Sequence, residues 1–191
     1  SSSRHPSALD DEMVGWFVGL YIAEGSQSDG TIQIASHMKE GVRFARLRQI
    51  AEAFDGHAAI HKTSENGCTV SINSPVLLGI IDAYVSGRIA SDKHLHPRCW
   101  QRSDRFLRAV LDGYLSGDGH WDEGNNRWRL GFCANDELVA DLRTVGARLG
   151  ITVRLKRVVH KMGAAEFPGY KGEVRFARSD HHNNRPDGEV V

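Results

Sequence analysis

Two hydrophobic periods follow one another along this chain, and the same succession occurs twice. Small and apolar residues run with helical spacing through Gly15-Trp-Phe-Val-Gly-Leu-Tyr-Ile-Ala-Glu-Gly25 and again through Ala109-Val-Leu-Asp-Gly-Tyr-Leu-Ser-Gly-Asp-Gly119. Each run leads into a stretch of period two, residues 31–37 and 127–132, in which apolar and polar side chains alternate as on a half-buried strand. Amphipathic helices are then predicted over residues 42–54 and 137–149, each followed by a hairpin. The first hairpin spans residues 57–73 and turns at Ser64-Glu-Asn-Gly67, where Asn-Gly accepts the positive φ that tight turns need. The second spans residues 152–177, with a looser connection expected around residues 163–172. A helix over residues 75–86 closes the first half, and residues 91–101 link to the second. The polar ends, residues 1–7 and 179–191, read as loose.

The recurrence is a true internal repeat, the feature that most constrains a fold when present. At an offset of 94 the small residues, the acid and the closing glycine of the two helical runs coincide. Thr31-Ile-Gln-Ile-Ala-Ser-His37 then lies over Asn125-Asn-Arg-Trp-Arg-Leu-Gly131, which sets Gln33 against Arg127 and Ala35 against Arg129. Leu47-Arg-Gln-Ile-Ala-Glu-Ala-Phe54 lies over Leu142-Arg-Thr-Val-Gly-Ala-Arg-Leu149 after a slip of one residue. Two similar halves are joined in one chain.

The repeated helix carries a distinctive surface. Gly15, Gly19 and Ala23 recur every four residues, as do Ala109, Gly113 and Gly117, leaving a smooth stripe along which two backbones can approach closely. The two helices are therefore each other's natural partners, and packing them about a pseudo-twofold axis sets Glu24 and Asp118 near one another. An isolated acid before a glycine is ordinarily a solvated helix end. Two at equivalent places repel each other and oppose their helix dipoles, an arrangement that a cation relieves. Hard oxygen donors with open positions suit Mg²⁺, which polarises phosphate and activates water. Gly25 and Gly119 are expected to be left-handed helix-terminating residues.

Composition narrows the classes. A chain of 191 residues, 40% hydrophobic and 25% charged, reads as an ordinary globular protein of one compact domain or two fused halves. Its longest apolar runs fall short of a membrane span, and no cleavable leader pattern precedes them, so a cytoplasmic protein is expected, or one of the organelle or nucleus of its host element, not a secreted one. Lys and Arg equal Asp and Glu at 24 each, a balance that by itself argues against a nucleic-acid partner. The charge is segregated, however: residues 154–178 hold seven Lys/Arg against two Glu, leaving room for a basic face. Cys68, Cys99 and Cys133 form no Cys-x-x-Cys pair, and His94, His96 and Cys99 lack a second ligand pair, so neither a disulfide framework nor zinc is assigned. His181-His-Asn-Asn184 reads as part of a polar tail, and neither a phosphate-cradling loop nor a serine nucleophile elbow is present.

Phe17-Val-Gly-Leu-Tyr-Ile-Ala-Glu-Gly25 and Leu111-Asp-Gly-Tyr-Leu-Ser-Gly-Asp-Gly119 resemble the paired motifs of the LAGLIDADG homing endonucleases, in their single-chain branch found in introns and inteins. The resemblance runs through nearly the whole chain, including Lys93-His-Leu-His-Pro97 and Phe106-Leu-Arg108. It implies an α+β fold: two pseudo-symmetric αββαββα halves, residues 1–98 and 99–180, packed through the motif helices so that antiparallel sheets form a saddle over DNA, with residues 181–191 as a tail. It implies metal-dependent cleavage of both strands across the minor groove, with Glu24, Asp118, Ala23 and Gly117 around Mg²⁺, and Ca²⁺ supporting binding without cleavage. Lys39 is the nearest match to the basic residues that such enzymes keep near the metal, with a solvated residue at the start of the following helix as the equal alternative, and residues 132–135 offer no lysine in the second half. Lys93 reads as a structural or backbone-contacting residue.

Strand alternation supplies the DNA face. With Ile32, Ile34, Trp128 and Leu130 turned to the core, Gln33, Arg127 and Arg129 face the groove, and the same logic turns out Arg154, Lys156 and Arg175. His37 and His61 complete the set. Outward Arg and Gln suit guanine and adenine edges. The expected activity is a double-strand break in a long asymmetric duplex by a monomer with pseudo-twofold symmetry; a non-cleaving DNA-binding regulator and an RNA-splicing maturase are the alternatives. An intron and an intein origin both stay open.

Overall fold

The computed structural model describes residues 8–163 and 165–176. Its first half runs α1 (Ala8–Glu24), β1 (Gly25–Ser28), β2 (Thr31–His37), α2 (Gly41–Ala53), β3 (His57–Lys62), β4 (Gly67–Asn73) and α3 (Pro75–Tyr84). A short ribbon of β5 (Val85–Ser86) and β6 (His94–Leu95), with a 3₁₀ turn over Pro97–Gln101, leads to the second half. That half runs α4 (Asp104–Asp118), β7 (Gly119–Asp122), β8 (Arg127–Cys133), α5 (Asp136–Leu149), β9 (Thr152–Met162) and β10 (Ala165–Arg175). The order is αββαββα and then αββαββ; the proposed tail, and Ala177 of the second hairpin, lie outside the described residues. Each half forms a four-stranded antiparallel sheet, β1-β2-β4-β3 and β7-β8-β10-β9. Among the described residues no helix is long and apolar enough to cross a membrane.

Local chemistry sets the helix boundaries. Ser74 accepts a hydrogen bond from the Leu77 amide with Pro75 behind it, Ser103 accepts from Phe106, and Asn135 accepts from Leu138. Each satisfies an amide that the helix itself leaves unpaired. α5 stops at Gly150, whose left-handed conformation (φ 69°) frees its amide to close back on Ala147 and Gly146.

α1 is buried on nearly every side: Trp16, Phe17, Val18, Leu20, Tyr21 and Ile22 are at most 4% exposed. It lies against α4, α3 and β2, and its main partner is α4. A methyl placed on Gly19 would stand 1.9 Å from the Val110 carbonyl oxygen, and one on Gly113 2.0 Å from that of Trp16. The two helices thus meet backbone to backbone along the stripe. This places the ends of both motif helices, and both acids, at the junction of the two sheets.

The structure corrects several sequence expectations. Gly119 is extended (φ −90°), and Gly25 is not left-handed either. Both open a strand directly. Glycine is needed there for space, since a methyl would strike the Tyr21 ring at Gly25 and the Leu115 oxygen and Trp128 ring at Gly119. The second hairpin has no loose connection over residues 163–172. Strands β9 and β10 pair continuously from Thr152↔Arg175 to Met162↔Ala165, turning at left-handed Gly163. The helix expected to reach Ser86 ends at Tyr84, because Val85 and Ser86 pair with Leu95 and His94. The repeat alignment also shifts. Gly25 pairs with Ile34, but Gly119 pairs with Leu130, so the turn between the first two strands is two residues longer in the second half. The 3₁₀ turn Glu123–Asn125 takes up that length. The counterpart of Gln33 is therefore Arg129, and that of Arg127 is Thr31.

Candidate metal centre and nucleic-acid interface

Glu24 ends α1 and Asp118 ends α4, and both are partly buried. The stripe brings them together. A methyl on Gly117 would lie 2.5 Å from the Ala23 Cβ and 3.0 Å from the Glu24 Cγ, so the last turns of the two helices are in contact. Burial raises the pKa of Glu24; the positive charge of Arg43 opposes the rise, while Asp118 and Glu40 add to it. Burial raises Asp118 as well, against a hydrogen bond donated by the Tyr114 hydroxyl at 2.9 Å. Two carboxylates whose ionised forms are disfavoured by their surroundings make a site that gains from a cation.

Each helix end is closed by a base from elsewhere in the chain, Lys93 buried and Arg43 partly so. Lys93, 3% exposed, donates through Nζ to the carbonyls of Tyr21 at 2.9 Å and Gly25, covering the end of α1. Desolvation lowers its pKa to about 8, although Glu24 pulls the other way. Asn135 fixes this lysine's own carbonyl through a 2.8 Å bond. On the other side Arg43, from α2, donates to the Ser116 carbonyl near the end of α4 and to Glu40. Its buried Nε has no partner among the described residues. Cations at helix C-termini offset the dipole that two terminal acids would otherwise worsen.

Lys39 does not share this position. It is exposed on the turn after β2, where its amide donates to His37 Nδ1, and it is not among the charges acting on Glu24. Arg43 takes that place. Its sequence signal is faint, since a basic residue in the first turn of an amphipathic helix ordinarily reads as solvated. Lys93 is a structural residue, spent on the protein's own carbonyls.

The sheet faces follow the expected alternation. In the first sheet Ile32, Ile34, Val70 and Ile72 face the helices. Register then puts Gln33, Ala35, His37, Thr69, Ser71 and His61 on the opposite face, which carries no Lys, Arg, Asp or Glu at any strand position. The second sheet turns Trp128, Leu130, Leu155 and Val174 inward. Its other face bears Arg127, Arg129, Arg154, Lys156, Lys171 and Arg175 against Asp122 and Glu173. Lys171 stands opposite Lys156 in a stretch that the sequence predicts as a loose connection and that pairs as strand instead. Arg127 and Arg175 are already engaged. Arg127 bonds Asp122 through Nε at 3.0 Å and Glu173 through Nη1, and Arg175 Nε bonds Glu173 at 2.9 Å.

The His94, His96 and Cys99 group has structural partners. His94 faces Glu137 at 3.5 Å, His96 accepts from the Arg98 amide, and the Cys99 thiol donates to the Tyr84 carbonyl. Among the described residues no group of three or more His, Cys, Asp or Glu is arranged to hold a metal, so Glu24 and Asp118 stand as a pair.

Comparison with known proteins places the architecture. No protein-family model and no curated protein sequence matches the chain. Solved structures do. The homing endonuclease I-DmoI, in mesophilic variants, aligns with a TM-score of 0.57 at 11% identity over 91% of this chain and 93% of its own. The same enzyme in complex with DNA and Mn aligns at 0.56 and 11% identity, over 94% of this chain and 99% of its own. The N-terminal LAGLIDADG domain of DUF199/WhiA aligns at 0.56 and 12% identity, over 91% of this chain and 80% of its own. The chain has the LAGLIDADG fold, with two motif helices in one polypeptide.

Proposed function

We propose that this protein is a site-specific endonuclease that makes a metal-dependent double-strand break in a long, asymmetric DNA duplex, acting as a monomer. The observation that carries the reading is the juxtaposition of Glu24 and Asp118 at the joined ends of α1 and α4, between two sheet faces of which one is strongly basic. The fold is that of I-DmoI, which has been solved with DNA and Mn.

The donor set fits a divalent cation such as Mg²⁺. Both acids are hard oxygen donors, burial penalises their uncompensated charges, and the Ala23 and Gly117 backbones lie beside them. A cation bound there would polarise a phosphate and make water a better nucleophile at neutral pH. The chain's own residues do the rest. Lys93 and Arg43 hold the two helix ends so that both carboxylates stay fixed, and the basic second sheet draws in the duplex. The near-neutral first sheet has Gln33 where the second has Arg129, so the two half-sites differ and a palindrome would match one half poorly.

Two observations favour a second reading, a DNA-binding regulator that does not cut. Asp118 is already engaged by Tyr114, and the WhiA domain shares the fold. Glu24→Gln and Asp118→Asn distinguish the two. Each should abolish double-strand cleavage of a randomised duplex library in Mg²⁺ while leaving binding in Ca²⁺ intact, because each also removes repulsion from the other acid and from phosphate. Cleavage by either variant at the wild-type rate defeats the assignment, and a wild-type protein that binds without cutting establishes the regulator.

A further inference from the structure

The basic sheet holds a carboxylate where a duplex-binding surface should least tolerate one. Glu173 lies on β10 directly opposite Arg129 of β8 and Arg154 of β9. Its side chain is only 16% exposed, and both oxygens are engaged. Oε2 accepts from Arg127, and Oε1 accepts from Arg175 at 2.9 Å with Arg154 Nη1 at 3.9 Å. Arg127 is gripped from its other side by Asp122, which is itself fixed by two bonds from Asn125 Nδ2 at 3.0 and 2.9 Å. The chain Asn125, Asp122, Arg127, Glu173, Arg175 crosses the groove face as one network.

Two consequences follow from elementary electrostatics. A negative charge among the arginines lowers the attraction of the face for any phosphate, whatever the sequence. A guanidinium held at two of its nitrogens loses rotamer freedom before DNA arrives, which favours a fixed planar contact over a mobile charge. Base edges are read by planar, bidentate contacts, whereas phosphate contacts set the register of the protein on the duplex without reading its sequence. Resting on the duplex-binding reading above, we infer that Glu173 is a specificity-determining residue: it weakens sequence-independent binding and, with Asp122, holds Arg127 for a base contact, leaving Arg154, Lys156 and Lys171 to the phosphates.

The test uses the full chain with a pool of 30-base-pair duplexes of random sequence, in Ca²⁺, so that cleavage is not needed. Wild-type protein should enrich a subset of the pool. Glu173→Gln should bind the unselected pool more tightly, with a slope of log affinity against log salt steeper by about 0.9, as for one more phosphate neutralised. Its preference for the enriched sequences over the pool should fall at least about fivefold, the lower end of what one bidentate base contact discriminates. Glu173→Asp keeps the charge but withdraws it by one methylene, so it should lose preference with the salt slope unchanged. It carries the test should the Gln variant not fold. A purely structural role would lower the melting temperature and leave both slope and preference where they were; that result overturns the inference. Wild-type protein that binds no duplex at low salt overturns the DNA reading as well. Duplex binding with unaltered preference in both variants overturns only the role of Glu173.

Discussion

Gly19→Ala tests the backbone contact on which the candidate site depends. The added methyl would sit 1.9 Å from the Val110 carbonyl oxygen and 2.7 Å from the Tyr114 amide, where ordinary contact begins near 3.4 Å. Both obstacles are backbone in the middle of α4, so no side-chain rotation relieves them, and the helices must part by roughly 1.5 Å. Overpacking costs about 1 to 3 kcal/mol, and a clash with a helix backbone belongs at the upper end. Alanine returns about 1 kcal/mol through its better helix propensity. The net loss is then about 2 kcal/mol, or a fall in melting temperature of roughly 4 to 8 °C for a chain of this size. Gly79→Ala in α3 is the matched control: nothing lies within 4 Å of the added methyl, so only the propensity gain remains and stability should rise by up to about 1 kcal/mol. Urea denaturation of both variants measures the two signs. If Gly19→Ala proves as stable as the parent, or shifts in the same direction as Gly79→Ala, the close approach of α1 and α4 is wrong, and with it the meeting of Glu24 and Asp118.

Two further outcomes follow from the same geometry. Binding to a mixed-sequence duplex should weaken steeply with salt despite zero net charge; Arg154→Gln with Lys156→Gln should flatten that slope by about 1.8, whereas Thr69→Ala on the uncharged face of the first sheet should leave it unchanged. Cys99 is fully buried and its pKa is pushed up to about 12 by desolvation from the usual 9.0, so the folded state keeps a thiol proton that the unfolded state gives up. Its contribution to stability should therefore fall as pH rises from about 9 towards 12, by at most about 1.4 kcal/mol per pH unit. Cys99→Ala should reduce that alkaline decline in denaturation curves, and an unchanged pH dependence would show that this thiol ionises alike in both states.

Much of this protein was legible in its sequence because the informative features are periodic. The recurrence of Gly15, Gly19 and Ala23 in Ala109, Gly113 and Gly117 identified the helix pair before any contact was known, since the absence of side chains has one steric use repeated at the same place. The same repeat marked Glu24 and Asp118. Alternation oriented the strands, because a period of two leaves only two choices and Ile32, Ile34, Trp128 and Leu130 decide between them. What lay beyond the sequence depends on which distant residues become neighbours. The two-residue difference in turn length moved the partner of Gln33 from Arg127 to Arg129, and no periodicity records how much chain a turn absorbs. Arg43 and Lys93 became the bases at the helix ends, and exposed Lys39 did not, because α2 and the ribbon before the second half are folded against the ends of α4 and α1. The pairing of Arg127 with Glu173 likewise arises only when β8 and β10 come into register. Burial and charge pairing act through space, and spatial neighbours 46 or 72 residues apart are set by tertiary packing alone.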